Sequence, residues 1–242
     1  MKTRLSCVAA VCLGVLVIAS VHAASVQRAT ADCAPRALVP RMLTPTTASL
    51  PRDGGAIVVG LRSGDGPAAP VPQSIELVRG RRTQSLTPTV IAPGLVRFAA
   101  VSRLLPGPFT TTVLGAPITL TVGRGTLPGV PTRPVLRDLR RVSSTAMSSR
   151  SLPRAEVRGT LEFPVPAGIV AIVTYWGETG GASTWMPAIQ GQTEIVAWAE
   201  PGRCEQAIEG TTGPAEGPGA GRIAYVDQFG QVSPVSAPVP LE

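Results

Sequence analysis

RIAYVDQFGQVSPVSAP, residues 222–238, contains the clearest indication of the fold class. An apolar run leads into Asp227, Gly230 follows three places later, and a Ser/Pro-rich segment comes next. Asp at the first and Gly at the fourth position are typical of a type I turn, because the Asp carboxylate accepts local backbone N–H groups. No second acid, histidine or glycine-rich cradle accompanies Asp227, as a ligand loop would require. The stretch therefore predicts a hairpin that closes a β-domain.

The rest of the chain has the same character, with 26 glycines and 25 prolines among 242 residues separating short Val/Ile/Thr-rich runs. Such spacing predicts an all-β protein built from antiparallel sandwiches. The predicted strands cover residues 56–61, 74–78, 95–101, 109–114, 118–122, 155–163, 168–176, 193–199, 222–227 and 234–241. Residues 135–142 could present one apolar helix face, but the segment is too short to establish a helix.

One strand has a clear alternation. In AEVRGTLEF, residues 155–163, the pattern places one set of side chains inward and the other outward. The inward set is Ala155, Val157, Leu161 and Phe163, and the outward set is Glu156, Arg158, Thr160 and Glu162. We therefore expect a half-buried strand.

The segment GTLPGVPTRP, residues 125–134, divides the chain, because its prolines and glycines prevent regular pairing. We expect two sandwiches in tandem, over residues 33–124 and 135–242, joined by this linker.

The N-terminus has the features of a secretory signal peptide over residues 1–23. Lys2 and Arg4 precede an apolar run over residues 5–19, which is shorter than the roughly 20 residues that span a bilayer. Val21-His22-Ala23 then fits a cleavage site. We expect an exported chain, periplasmic or extracellular, with no transmembrane segment after cleavage.

Two cysteines would remain after cleavage, Cys33 and Cys204, since Cys7 and Cys12 leave with the signal. In an oxidising compartment an even count predicts a disulfide. We expect Cys33 and Cys204 to pair within one chain, although a disulfide between two chains would explain the same count.

Histidine sets the main limit on chemistry. The chain has one, His22, inside the predicted signal, so no Ser-His-Asp site and no His-ligated metal centre is expected. Glu178, Glu194, Glu200, Glu205 and Glu209 cluster in the second half, but their spacing selects no catalytic pair. We expect them to be solvated or to pair with arginines of residues 133–158. The sequence predicts no enzyme, cofactor or metal site.

The tryptophans offer a candidate ligand contact. Trp176 and Trp198 lie in apolar runs and are expected in the core, whereas Trp185 follows a Gly-Gly-Ala-Ser segment and is expected to be exposed. An exposed ring there could stack on a sugar or a proline-rich peptide.

All 20 basic residues outside the predicted signal are arginines, against 15 acids. Two arginine clusters are candidate contacts for an anionic surface such as lipopolysaccharide or phospholipid headgroups, or else solvated faces. They are Arg79, Arg81 and Arg82, predicted at a hairpin tip, and Arg137, Arg140 and Arg141. Export and the few aromatic residues argue against a nucleic-acid partner.

The segment YVDQFGQVS, residues 225–233, resembles the last hairpin of fibronectin type III domains, although Gln231 replaces the usual asparagine and Gly221 the family's strand tyrosine. Residues 50–59, LPRDGGAIVV, and 105–110, LPGPFT, resemble a bacterial immunoglobulin-like module. Periplasmic copper-resistance sandwiches are similar, but their metal histidines have no counterpart here. The resemblance implies a tandem immunoglobulin-like and fibronectin type III-like protein.

We therefore expect an exported, non-catalytic structural or protein-interaction module of the cell envelope, with an unknown protein or glycan partner. The alternatives are a periplasmic chaperone with two immunoglobulin-like domains and a carbohydrate-binding module that uses Trp185.

Overall fold

The computed structural model describes residues 36–64, 70–113, 116–144, 154–177, 180–201, 205–215 and 219–242. Over these ranges the regular structure consists of strands in two sheets, without a helix, so the all-β prediction is confirmed. The predicted signal peptide, Cys33, Cys204 and Glu178 lie outside the described residues, and the predictions that concern them stay predictions.

The first sheet has eight strands. They are β1 (Ala37–Met42), β2 (Ser49–Leu50), β3 (Ala56–Gly64), β4 (Ile75–Arg79), β5 (Arg82–Ala92), β6 (Leu95–Ala100), β7 (Gly107–Val113) and β8 (Ala116–Val122). Their order across the sheet is β1-β3-β6-β5-β4-β7-β8-β2. The long strand β5 pairs with β4 through its first residues and with β6 from Leu86 onward, so it joins the two parts of the sheet.

A closed apolar core explains this arrangement. Ile57 and Val59 of β3 and Phe98 of β6 pack in one cluster with Leu77 of β4 and Phe109 of β7. The strands from the two ends of the sheet therefore contribute to the same interior, as in a sandwich.

The second sheet has seven strands. They are β9 (Leu136–Ser144), β10 (Arg154–Leu161), β11 (Ile169–Trp176), β12 (Ala182–Pro187), β13 (Glu194–Ala199), β14 (Gly219–Asp227) and β15 (Val239–Leu241). Their order is β12-β11-β14-β15-β9-β10-β13. The short strand β15 lies antiparallel to β14 and parallel to β9, which joins the two groups of strands. The core of this second sheet includes Leu139, Val157, Ile172 and Ile223.

Two local predictions in this half need correction. Residues 136–144 form a strand paired with β10 rather than a helical face. In β10 the alternation holds for Val157 and Leu161, which are buried, but Ala155 and Phe163 are exposed and Glu156, expected to face outward, is buried. Phe163 lies beyond Leu161, where the strand ends, so the two-residue period no longer fixes its direction.

All strands of the first sheet precede residue 125, and all strands of the second follow residue 134. The two sheets belong to one compact unit, Arg36–Glu242. A third apolar cluster joins them, with Val58 and Leu95 from the first sheet and Val173, Trp185 and Val226 from the second. The domain boundaries at the 125–134 segment stay a prediction.

The turn at residues 227–230 is confirmed. Gly230 N–H donates to the Asp227 carbonyl at 2.9 Å, and Gly230 has a positive φ of 74°. Asp227 Oδ1 accepts N–H groups from Phe229 at 2.9 Å and from Gln231 at 2.8 Å. The turn also presents Phe229 to the core of the first sheet, which its local sequence did not indicate.

Candidate functional site

The candidate site is the tip of the β4–β5 hairpin. The register pairs Arg79 directly with Arg82, which leaves Gly80 and Arg81 as a two-residue loop. Gly80 has a φ of 60°, which suits the first central residue of a two-residue hairpin turn of type I′ or II′. The predicted hairpin tip is therefore confirmed, and it places three arginines within four residues.

Leu105 and Pro106 form a wall beside the tip. Together with the three arginines, this wall lines a groove of 510 Å³. The Arg79 guanidinium donates to the Pro106 carbonyl. It also lies over Gly107, where a Cβ would be 2.7 Å from Arg79 Nη1. A hydrogen bond thus holds Arg79 against the wall, and the absence of a side chain at residue 107 leaves room for its guanidinium group.

Gln84 of β5 fixes the wall from the hairpin side. Its Nε2 donates to the Arg103 carbonyl at 3.2 Å, and its Oε1 accepts the Leu105 N–H at 3.1 Å. The hairpin and the wall are therefore held together by polar contacts from both Arg79 and Gln84.

The charge around the groove is not neutralised within the described residues. Arg81 and Arg82 are exposed, and neither side chain has an ion-pair or hydrogen-bond partner there. The nearest acidic residue along the hairpin, Glu76, pairs in register with Ser85 rather than with an arginine. The three guanidinium groups consequently present positive charge to solvent.

The nearby carboxylate of Asp53 is already occupied. Arg103 Nε and Nη2 donate to its two oxygens at 2.5 and 3.1 Å. This hydrogen bonding holds the pKa of the Asp53 carboxyl below its usual value, and burial opposes it only in part. Asp53 therefore stays ionised and bound to Arg103.

The sequence divides charge between the two halves. Residues 36–134 contain eleven arginines and three acidic residues, for a formal charge of +8, whereas residues 135–242 contain eight arginines and eleven acidic residues, for −3. The arginine hairpin thus lies on the strongly basic half, a division that the total charge of +7 conceals.

The second predicted cluster, on β9, has a different environment. Arg137 pairs with Glu162 at 3.0 Å, Arg140 pairs with Glu194 at 3.1 Å, and Arg141 donates to the Ala215 carbonyl. The structure places this cluster on the second sheet, apart from the hairpin arginines of the first. Its role as an anionic contact stays a prediction.

Several acidic residues of the second half form ion pairs with arginines of β9 and β10. Glu156 is buried between Arg154 and Arg158 on β10, at 3.1 and 3.2 Å. Hydrogen bonding to Glu156 raises the pKa of Arg158. Glu194 also approaches Arg158, and Glu205 approaches Arg154. The expectation that these acids pair with arginines of residues 133–158 is confirmed for Glu194 and Glu205.

The expectation that Trp185 is exposed is wrong. Trp185 lies in β12, only 5% of its surface is exposed, and its ring packs on Gly60 of β3. Burial of this apolar ring between the two sheets outweighs the flexible composition of residues 180–183. Trp176 and Trp198 lie at the edge of the second core and are half-buried.

Within the described ranges, no three His, Cys, Asp or Glu side chains come together as a metal-binding group. No helix in these ranges has the length and apolar character needed to cross a bilayer.

Comparison with models of known protein families gives no match, and comparison with curated proteins gives none either.

Proposed function

We propose that the chain is an exported, non-catalytic interaction module of the cell envelope, which contacts an anionic partner through the hairpin of its first sandwich. The observation that carries the proposal is the pair of exposed guanidinium groups on Arg81 and Arg82, which lack partners among the described residues. Residues 36–134, which include both of them, carry a formal charge of +8. Such a field attracts anionic partners before contact is made.

The framework supports this role because contacts between the two sheets hold the first sandwich, which carries the hairpin, against the second. Trp185 packs between the two sheets, and Phe229 from the second half packs in the first core. Arg97 Nε donates to the Phe229 carbonyl at 3.0 Å across the same junction. A surface carried by a rigid body loses little entropy on binding.

The strand arrangement supports the finer assignment to immunoglobulin-like and fibronectin type III-like sandwiches. In the second sheet the last strand, β15, runs parallel to the first, β9, and antiparallel to β14. The turn at Asp227 lies where the resemblance to the final fibronectin type III hairpin places it. We therefore keep this family resemblance as part of the proposal.

The rival carbohydrate-binding function has lost its supporting feature, because a buried Trp185 offers no stacking surface.

Photo-crosslinking in cells tests the proposal. A photoreactive residue at exposed Thr83, beside the arginine tip, is compared with one at exposed Asp138 on β9. We expect a chain that begins after Ala23 in the envelope fraction and adducts to an envelope component from position 83 alone. Retention of residues 1–23 in a cytosolic fraction would overturn export, and equal adducts from both positions would overturn the hairpin contact.

A further inference from the structure

We infer that the arginine hairpin, residues 79–82, together with the Leu105 and Pro106 wall, binds the phosphate groups of anionic phospholipid headgroups at a bilayer surface. This inference rests on the proposed function and adds the chemistry of the partner.

The first step is the repulsion built into the hairpin. Arg79 and Arg82 are directly opposite in the antiparallel register, where facing like charges destabilise a sheet. Arg81 adds a third positive charge in the loop between them. An anion bound at the tip would offset this repulsion, whereas no described carboxylate does.

The second step is the match between guanidinium and phosphate. Each arginine offers a planar fork of N–H donors that can hold two phosphate oxygens at once. Arg79 is held in place by the Pro106 carbonyl and the bare backbone of Gly107. Arg81 and Arg82 are free to reach outward. The site thus combines one fixed guanidinium with two that can adjust to headgroups.

The third step distinguishes a lipid surface from a free phosphate ion. The whole tip, residues 78–83, is exposed, and it includes Val78 with 39% of its surface exposed. Leu105 and Pro106 add half-buried apolar surface beside the guanidinium groups. An open tip with basic and apolar groups side by side suits an interface of many headgroups, since a single phosphate would need an enclosing pocket. The charge of +8 over residues 36–134 adds long-range attraction to such a surface.

Vesicle co-sedimentation tests this inference with the protein as purified from cells. The probes are vesicles of phosphatidylcholine alone and vesicles that also contain phosphatidylglycerol. We expect binding only with phosphatidylglycerol, and a roughly thirtyfold loss in R81Q/R82Q, since each arginine near an anionic membrane contributes about fivefold in partitioning. Neither side chain has a partner among the described residues, so this variant should fold normally.

The matched control is R41Q/R62Q, which removes the same charge from the same sandwich. Arg62 lies in β3 beside the Pro93-Gly94 turn, at the other end of β5 from the hairpin tip. Arg41 lies in β1 and pairs in register with Gly60 of β3, two residues before Arg62. We expect this variant to bind vesicles within about twofold of the parent, because its arginines lie away from the proposed headgroup contact.

Two results would overturn the inference. They are no binding to phosphatidylglycerol vesicles and an equal loss in R41Q/R62Q and R81Q/R82Q. The first result, found together with binding of inorganic phosphate to the hairpin, would assign the site to free phosphate. Crosslinking at position 83 that persists despite either of these results would leave the proposed function standing and remove only the lipid assignment.

Discussion

The indole ring of Trp185 lies directly on Gly60, so that a Cβ at residue 60 would be 2.3 Å from Trp185 Cη2 and 2.5 Å from Cζ2. Gly60 belongs to β3 of the first sheet and Trp185 to β12 of the second. Trp185 can therefore pack against the first sheet only because residue 60 has no side chain.

Gly60→Ala is predicted to destabilise the protein by about 1–3 kcal/mol, because the added methyl group overpacks the buried contact with the ring. Trp185→Leu removes the ring atoms that would collide with it. In the double variant the cost of Gly60→Ala should therefore become smaller, which urea denaturation of all four proteins measures. Strict additivity of the two changes would contradict the contact.

Asp227→Ala is predicted to cost at least about 2 kcal/mol, because it leaves the N–H groups of Phe229 and Gln231 without their acceptor, and each buried unpaired group costs about 1–3 kcal/mol. Asp227→Asn keeps one carbonyl acceptor and is the matched control. Its loss in urea denaturation should be clearly smaller. Equal losses in the two variants would show that the turn does not depend on these hydrogen bonds.

The Asp53–Arg103 pair predicts a specific acid titration. The hydrogen bond from Arg103 lowers the pKa of Asp53 below its ordinary value of 3.8, and Arg103→Gln should raise it. Since the folded pKa lies below the unfolded one, the stability from this pair is present above pH 3.8 and is lost as pH falls through the folded pKa. Carboxyl NMR titration of the parent and the variant measures the difference, and identical midpoints would refute it.

The two tyrosines predict a loss of stability at alkaline pH. Burial raises the pKa of both Tyr175 and Tyr225 above 10.0. The Arg222 guanidinium, 5.7 Å from the Tyr175 ring centroid, partly opposes this rise. The folded chain therefore keeps protons that the unfolded chain releases, and stability should fall as pH rises through 10.0 towards the folded pKa values.

Tyrosinate absorbance measured against pH checks this expectation, since the chain has only these two tyrosines. Arg222→Gln should raise the midpoint of Tyr175 further, whereas Tyr225→Phe should remove one titration step and leave Tyr175 in place. Midpoints at or below 10.0 would contradict the burial of both rings.

Local patterns predicted most strands but missed those that depend on distant contacts. Strand β5 contains Pro88, which usually excludes a central strand. Here Pro88 pairs with Phe98 of β6 alone, because β4 pairs with β5 only as far as Leu86. No strand on the other side of β5 therefore requires a backbone N–H from residue 88, which proline lacks. Strand β12 was missed because its residues are small and polar around a single Trp185.

Only part of the candidate site could be predicted from the sequence. The spacing of Arg79, Arg81 and Arg82 around Gly80 was enough to predict a hairpin tip. The wall at Leu105 and its attachment through Gln84 were not predictable, because residues 84 and 105 are brought together by the sheet and not by any local pattern. Phe229 entered the first core for the same reason.

The most direct test of the central claim follows the Nε–Hε signals of individual arginines by NMR while phosphatidylcholine bicelles, first without and then with phosphatidylglycerol, are added. We predict shifts of Arg79, Arg81 and Arg82, with Arg140 and Arg158 unaffected in their pairs with Glu194 and Glu156. Shifts confined to Arg140 and Arg158, or equal shifts across all these arginines, would contradict an anion contact at the hairpin.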